Sequence, residues 1–324
     1  MLSTILACLA LAQGPVLGVE SDRFTLDGRP VFMLGISYYG ALAIEDEAVV
    51  AGDLDEMKQC GFNWVRVWAT WNAFENNVSA VAPDGSERAP YLARLRRLCE
   101  LAGRRGMAVD VTVTRGEDPD FPSTQAELAA VMETLARELK PYRNMYFDVG
   151  NERNVGDARH VPMEDVGRLI ALVKGIDPER LCTASQGGDI GDEEAAEYLK
   201  VGRVDFLAPH RGRYAGSPSE TAEQTRHYFS LMEGGRRVPV LYQEPFRRGY
   251  DDWQPSAADF RTDLEQARSS GAAGWCFHNG SVRGGVSDGR PRRSFDLRTA
   301  EGRLFDQFDA EERAFLEWLR EHAR

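Results

Sequence analysis

The sequence is poor in lysine, histidine and cysteine, and each shortage removes a class of chemistry. Lysine occurs only as Lys58, Lys140, Lys174 and Lys200, all within or at the ends of helix-like segments, which excludes a Schiff base formed from a strand end. The five histidines are scattered and never form HxH, so no clustered metal centre is expected, and nothing calls for an organic cofactor. Neither GxGxxG nor GxxxxGK follows the first strand-like run, which removes the nucleotide-binding doubly wound sheets. Basic runs are absent and the net charge is −12, so a nucleic-acid partner is excluded. No stretch reaches the roughly 18 apolar residues that a membrane span needs. Cys8 apart, Cys60, Cys99, Cys182 and Cys276 lie far from one another without CxxC, and they read as small core residues rather than a disulfide framework or a zinc set.

What is present is a large apolar fraction, 43% of 324 residues, enough for one sizeable core. Linkers and internal repeats are missing, so residues 21–324 are expected to form one domain, acting as a monomer. Residues 1–20 read as a signal peptide or apolar tail. Leu2–Leu11 is apolar and Ala10-Leu11-Ala12 fits a small-x-small cleavage site, although no Lys or Arg precedes Arg23. Export, to the periplasm or the medium, is the corresponding expectation.

After a hairpin signal at Asp27-Gly28, apolar runs alternate with helical patterns. The strand-like runs are Val31–Ile36, Phe62–Trp68, Met107–Thr114, Met145–Val149, Arg180–Ser185, Val204–Ala208, Val238–Gln243 and Ala272–Phe277. The helical segments are Glu45–Gln59, Tyr91–Arg105, Thr124–Lys140, Met163–Lys174, Asp192–Lys200, Ser219–Glu233, Ala257–Ser270 and Ala300–Leu319. Ser123-Thr124 followed by Glu127 reads as a capping box, and Gly61, Gly106 and Gly271 stand where helices should stop. Eight strands alternating with eight helices predict an α/β fold, a (β/α)8 TIM barrel whose base is lidded by a short N-terminal hairpin.

In such a barrel the chemistry gathers at the C-terminal strand ends. Glu152 in MYFDVGNERN and Glu244 in VPVLYQEPF both follow abruptly on apolar runs. Around them the same rule places Tyr38, Tyr39, Arg66, Trp68, Trp71, Arg115, Asn151, Arg153, Gln186, His210, Arg211, Arg213, Tyr214, Arg247, Trp253, Trp275, His278 and Asn279. Two carboxylates among aromatics, amides and arginines suit cleavage of a glycosidic bond, because sugar rings stack on aromatic faces and their hydroxyls need polar partners. Two other outcomes stay open: acidic, uronic or sulfated sugars, which the arginines would suit, and a barrel that binds carbohydrate without cutting it.

The segments LDGRPVFMLGISYY, GFNWVRVW, FDVGNERN, LAPHRGRY, VLYQEPF and GAAGWCFHNG resemble the clan A glycoside hydrolases, closest to glycoside hydrolase family 5, the cellulase and mannanase family. That resemblance implies retaining hydrolysis of a β-linked glycoside, with Glu152 as acid/base and Glu244 as nucleophile. It further implies that Asn151 bonds the sugar 2-hydroxyl, Arg66 keeps the nucleophile ionised, His210 completes the polar floor and Trp275 forms the sugar platform, with Tyr214 and Trp68 also binding substrate. The chain departs from the family pattern where Thr112, Thr114 and Arg115 replace the usual strand-3 histidine. It departs again where Gly212 stands two residues beyond His210, in place of the usual tyrosine.

Overall fold

The computed structural model describes residues 14–74, 76–250, 252–280, 295–298 and 303–322. Leu2–Leu11, Cys8 and Ala300 lie outside them. Three antiparallel strands come first: β1 (Leu17–Glu20), β2 (Arg23–Leu26) and β3 (Arg29–Val31). The expected hairpin is β2–β3. Leu26 pairs with Arg29 across Asp27 (φ 52°) and Gly28 (φ 74°), the left-handed pair that a two-residue type I′ turn requires. β1 is an addition, since its residues fall in the stretch read as tail. Leu17 pairs with Leu26, donates its N–H to the carbonyl of Arg143 at 3.0 Å and, with Phe24, seals the apolar base of the main sheet.

The main chain path continues through β4 (Met33–Ser37), α1 (Glu47–Gln59), β5 (Trp64–Trp68), the small ribbon β6 (Asn72–Ala73) and β7 (Asn76–Asn77), α2 (Tyr91–Arg104), β8 (Ala108–Thr112), α3 (Gln125–Glu138) and β9 (Met145–Asp148). It then runs through α4 (Met163–Ile176), β10 (Cys182–Thr183), α5 (Asp192–Glu197), α6 (Ser217–Leu231), β11 (Leu241–Tyr242), α7 (Ala257–Ser270), β12 (Gly274–Phe277) and α8 (Ala310–His322). Seven strands form one curled parallel sheet in the order β10-β9-β8-β5-β4-β12-β11.

The eighth expected strand, Val204–Ala208, is not a regular strand. It makes single parallel bridges, Leu207 to Val240 on one side and Pro209 to Gln186 on the other. Pro209 and Pro239 lack the N–H that would lengthen either ladder. β10 is shorter than its expected span because side chains take its amides: Cys182 donates to Asp205 Oδ2 at 2.8 Å and Ser185 to Asp148 Oδ1 at 3.0 Å. The last helix starts at Ala310.

Local signals otherwise match. Thr124 and Glu127 form the capping box of α3, and Gly61, Gly106 and Gly271 take positive φ at helix ends. The four described cysteines are buried and unpaired. Among the described residues, no helix is long and apolar enough to cross a membrane.

Strand alternation divides the core. One set of side chains faces the helices, as Val65, Val67, Val109, Val111 and Phe147 do. The other turns into the curl, where Met33, Trp64, Ala108, Tyr146, Phe206 and Leu241 make an apolar floor. The Trp64 indole fits there because residue 35 is glycine; a Cβ at Gly35 would lie 2.0 Å from the ring. One step further along the strands, the same inward positions hold Arg66, Asp110, Thr112, Asp148 and Gln243, all buried. This polar layer is the base of the site.

Candidate active site

Above that layer the strand ends open into a cleft of about 600 Å³, lined by Glu152, Arg159, Arg213, Glu244, Arg247, Tyr250 and His278 among others. Glu244 is 1% exposed and stands at its centre. Its Oε1 accepts from Tyr39 Oη and from Arg66 Nη1 at 2.9 Å; its Oε2 accepts from Arg213 Nη2 at 2.9 Å and lies 3.1 Å from His210 Nδ1. Glu152 follows β9 with a left-handed backbone (φ 46°), a conformation rare for a side chain of this size. Its N–H is held by Ser185 Oγ at 3.0 Å. Its Oε1 lies 3.2 Å from the same His210 Nδ1, and its Oε2 accepts from Arg159 Nη1 at 2.6 Å.

Arg66 organises the floor. Besides Glu244, its fully buried guanidinium reaches Asp148 Oδ2 (3.1 Å), Asp110 Oδ2 (3.1 Å), Thr112 Oγ1 (3.1 Å) and Asn151 Oδ1 (2.8 Å). One planar fork with five donors can serve this many acceptors; an ammonium could not. The Arg66 guanidinium also lies over the rings of Tyr39 and Trp68, at 5.6 and 5.8 Å from their centroids.

Charge follows from this geometry. Burial would raise the Glu244 carboxyl, but His210 and Arg66 outweigh it and hold the group well below the usual carboxylate range. Burial likewise opposes ionisation of Glu152, yet the hydrogen bond with His210 and the charge of Arg213 bring it down to about 2. For His210 burial works against the proton; Glu244 and Glu152 overcome it and raise the imidazole above its ordinary value. Burial, with Arg213 and Arg247 adding to it, pushes His278 well down and keeps it neutral. Asp110, desolvated beneath Arg66, rises to about 7.

Of the residues singled out from sequence, Glu152, Glu244, Arg66, Asn151 and His210 converge here. Three others do not. Cys276 is the residue of β12 that faces the interior, so its neighbour Trp275 must face outward: its indole donates to Asp263 Oδ2 of α7 at 2.6 Å and packs on Phe315. His278, two residues on from Cys276, takes the inward position. Tyr214 is 48% exposed and bonded to Glu220, while Arg213 beside it reaches the carboxylates. Trp68 is 2% exposed, packed against Tyr39 and Trp71 as a wall for Arg66.

The wider arginine set also divides. Arg153 donates to the carbonyl of Val161, Arg211 pairs with Asp189 and Arg115 bonds the carbonyls of His160 and Ser123, all bracing loops. The sequence reading missed Arg159, Asp110, Asp148 and Tyr250. The two aspartates carried a visible signal, a charge inside an apolar alternating run; Arg159, on an irregular loop, carried none.

Glu152, His210 and Glu244 offer ligand atoms all within 4.8 Å of one another, the spacing of a cation site. Those oxygens already accept from Arg66, Arg159 and Arg213, so the set suits paired carboxylate chemistry better than a metal.

Solved structures of similar fold include a glycoside hydrolase family 5 protein from Bacteroides vulgatus (18% identity, TM-score 0.63, 81% of this chain and 61% of that one). Others are the endo-1,4-β-mannanase of Rhizomucor miehei (15%, 0.62, 90% and 98%) and the endo-β-1,4-mannanase of Thermotoga petrophila (14%, 0.63, 92% and 77%). The chain thus spans about three fifths of the Bacteroides vulgatus structure's length. No curated protein sequence matches it. The family model described as cellulase (glycosyl hydrolase family 5) matches residues 28–224, more than half of the chain, on the same sheet that carries Arg66, Asn151, Glu152 and His210. The chain belongs to glycosyl hydrolase family 5.

Proposed function

We propose that the chain is a retaining O-glycosyl hydrolase acting on a β-linked glycoside, on a closed (β/α)8 barrel in which residues 204–209 serve as the sixth strand. The observation that carries the reading is the spacing of Glu152 and Glu244, each with an oxygen within 4.8 Å of the other and of His210 Nδ1. Retaining enzymes keep the two carboxyl groups about 5 to 5.5 Å apart, whereas inverting ones need about 6.5 to 9.5 Å to seat a water. Membership of the family and the mannanases of like fold support the same class. Export as a monomer belongs to this proposal, as does action without metal or cofactor.

Glu244 is the nucleophile, ionised and oriented by Arg66 and Tyr39. Glu152 is the acid/base. In the resting site Glu152 is itself ionised, so the proton it must donate comes from its neighbour. His210 holds that proton at Nδ1, in contact with both carboxylates. As a sugar enters, the proton passes to Glu152 Oε1 and on to the glycosidic oxygen while the C–O bond breaks and Glu244 bonds to the anomeric carbon. Water then attacks that carbon, gives its proton to Glu152 and releases Glu244; the proton returns to His210. Asn151 Nδ2, buried and without a partner among the described residues, is left for the sugar 2-hydroxyl.

The test is leaving-group dependence with rescue. Glu152→Ala should cripple substrates with poor leaving groups far more than activated aryl glycosides. Glu244→Ala should lose both, and azide should restore turnover of an activated glycoside as a glycosyl azide of inverted configuration. A 2-fluoro sugar should label Glu244 alone. A label elsewhere, or inversion by the wild type, refutes the assignment.

A further inference from the structure

We infer that the cleft takes a glycoside carrying a negative charge, a uronic carboxylate or a sulfate ester, and that Arg213 is the residue that reads it. The inference rests on the hydrolase reading above and names its substrate class.

The lining of the cleft is the first observation. A neutral sugar is gripped through its apolar face by an exposed aromatic platform, and no tryptophan lines this cleft among the described residues. Trp68, Trp71 and Trp275 are 2%, 6% and 0% exposed, spent on packing. The aromatic that remains is Tyr250, and it is engaged by cations: the Arg213 guanidinium lies 4.6 Å and that of Arg247 5.4 Å from its ring centroid. Arg159 stands on the far side of Glu152. Arg247 donates Nη1 to the carbonyls of Arg248 and Gly249, whereas the Arg213 fork lies against the two glutamates; a guanidinium fork matches planar, bidentate acceptors, which is the geometry of a carboxylate or an ester sulfate.

The second observation is where Arg213 spends its donors. Nη2 bonds Glu244 Oε2 at 2.9 Å and lies 3.5 Å from Glu152 Oε1, Nε bonds the carbonyl of Pro245 at 3.2 Å, and Nη1 makes no hydrogen bond among the described residues. Glu244 already has Arg66, Tyr39 and His210. A second full cation on Oε2 masks a lone pair the nucleophile needs and makes the carboxylate less reactive. An anion on the substrate competes for Arg213 and draws it off both carboxylates, leaving Glu244 with the partners that merely orient it. A neutral sugar offers nothing to draw it away. Charge recognition and release of the nucleophile are thus the same event, so the preference should appear in kcat as well as in KM.

The experiment compares matched 4-nitrophenyl β-glycosides: glucuronide against glucoside, galacturonide against galactoside, and 6-sulfated glucoside against glucoside. Calorimetric binding of a uronic and a neutral disaccharide runs alongside. At least one anionic member should exceed its neutral counterpart in kcat/KM by about tenfold or more, the worth of one charge-assisted hydrogen bond, and the margin should shrink with salt. The uronate and sulfate arms decide between the two anions. Arg213→Met should bring the ratio of anionic to neutral kcat/KM to about one, and Arg213→Lys should restore it only in part, since an ammonium is not a fork. Equal or better turnover of every neutral member, or an unchanged ratio in Arg213→Met, overturns the inference and leaves the hydrolase intact. Preferential binding of the uronic disaccharide with no turnover of any glycoside would sink the hydrolase reading and sustain this one.

Discussion

Arg66→Met tests the organisation of the site most severely. The guanidinium is 0% exposed and is the ion-pair partner of Asp110, Asp148 and Glu244 together. Breaking a buried pair by removing one partner typically costs about 3–5 kcal/mol, because the remaining charge is left uncompensated; here three carboxylates are left facing one another. Against a total stability of about 5–15 kcal/mol, that loss is large but survivable. The sign of its pH dependence follows. Without Arg66, Glu244 and Asp110 lose the cation that lowers them and escape their desolvation only by protonating, so their folded pKa values rise. Groups with raised folded pKa support the fold at low pH and lose that support as pH climbs through the raised values. Asp110 already sits at about 7 in the intact layer, so most of the change comes from Glu244, which Arg66 helps to hold well below the usual carboxylate range. Urea denaturation followed by tryptophan fluorescence should give a loss of about 3–5 kcal/mol at pH 8 and a loss at least about 1 kcal/mol smaller at pH 5, one pKa unit being worth 1.36 kcal/mol. The folded fraction should also show the acidic limb of kcat/KM moved upward, since Glu244 has lost a neighbouring cation. A loss under about 1 kcal/mol at pH 8, or an equal loss at both pH values, would refute the claim that Arg66 holds the layer together.

Two further outcomes can be checked directly. The proposed relay keeps the catalytic proton on His210, whose pKa is raised, and uses Glu244, which is held well below its ordinary range, so it requires kcat/KM to persist into acid and to fall on the alkaline side with an apparent pKa above about 6.5; an alkaline limb below pH 6 contradicts the His210 relay. Trp275→Phe should leave KM unchanged and cost about 1–3 kcal/mol by stripping buried Asp263 of its indole donor; a raised KM at unchanged stability would return Trp275 to the site.

Much of this was legible in one dimension. The alternation of apolar runs and helical patterns specifies a parallel sheet wrapped by helices because burial on both faces demands such strands, and seven of the eight runs became strands. Glu152, Glu244, Arg66, Asn151 and His210 could be named because strand ends of a parallel sheet meet at one place, whatever the loops do. The sequence also determined the hairpin turn at Asp27-Gly28 and the capping box of α3, since both depend on residues within four positions of one another.

What only the tertiary structure decided is orientation and pairing. A one-residue difference in the register of β12 turns Trp275 to the helices and His278 to the cleft, and no local signal distinguishes those two outcomes in a strand buried on both faces. Pro209 stops a ladder only because it falls opposite Gln186, and Pro239 only because it immediately precedes Val240, the residue bridged to Leu207. Arg159 and Arg213 reach the carboxylates from irregular loops, whose paths are set by packing rather than by periodicity. The environment of Glu152 is the clearest case. Its sequence neighbours say nothing of it; His210 and Arg213, brought in from other loops, lower its carboxyl against the effect of burial, and Arg159 bonds its other oxygen.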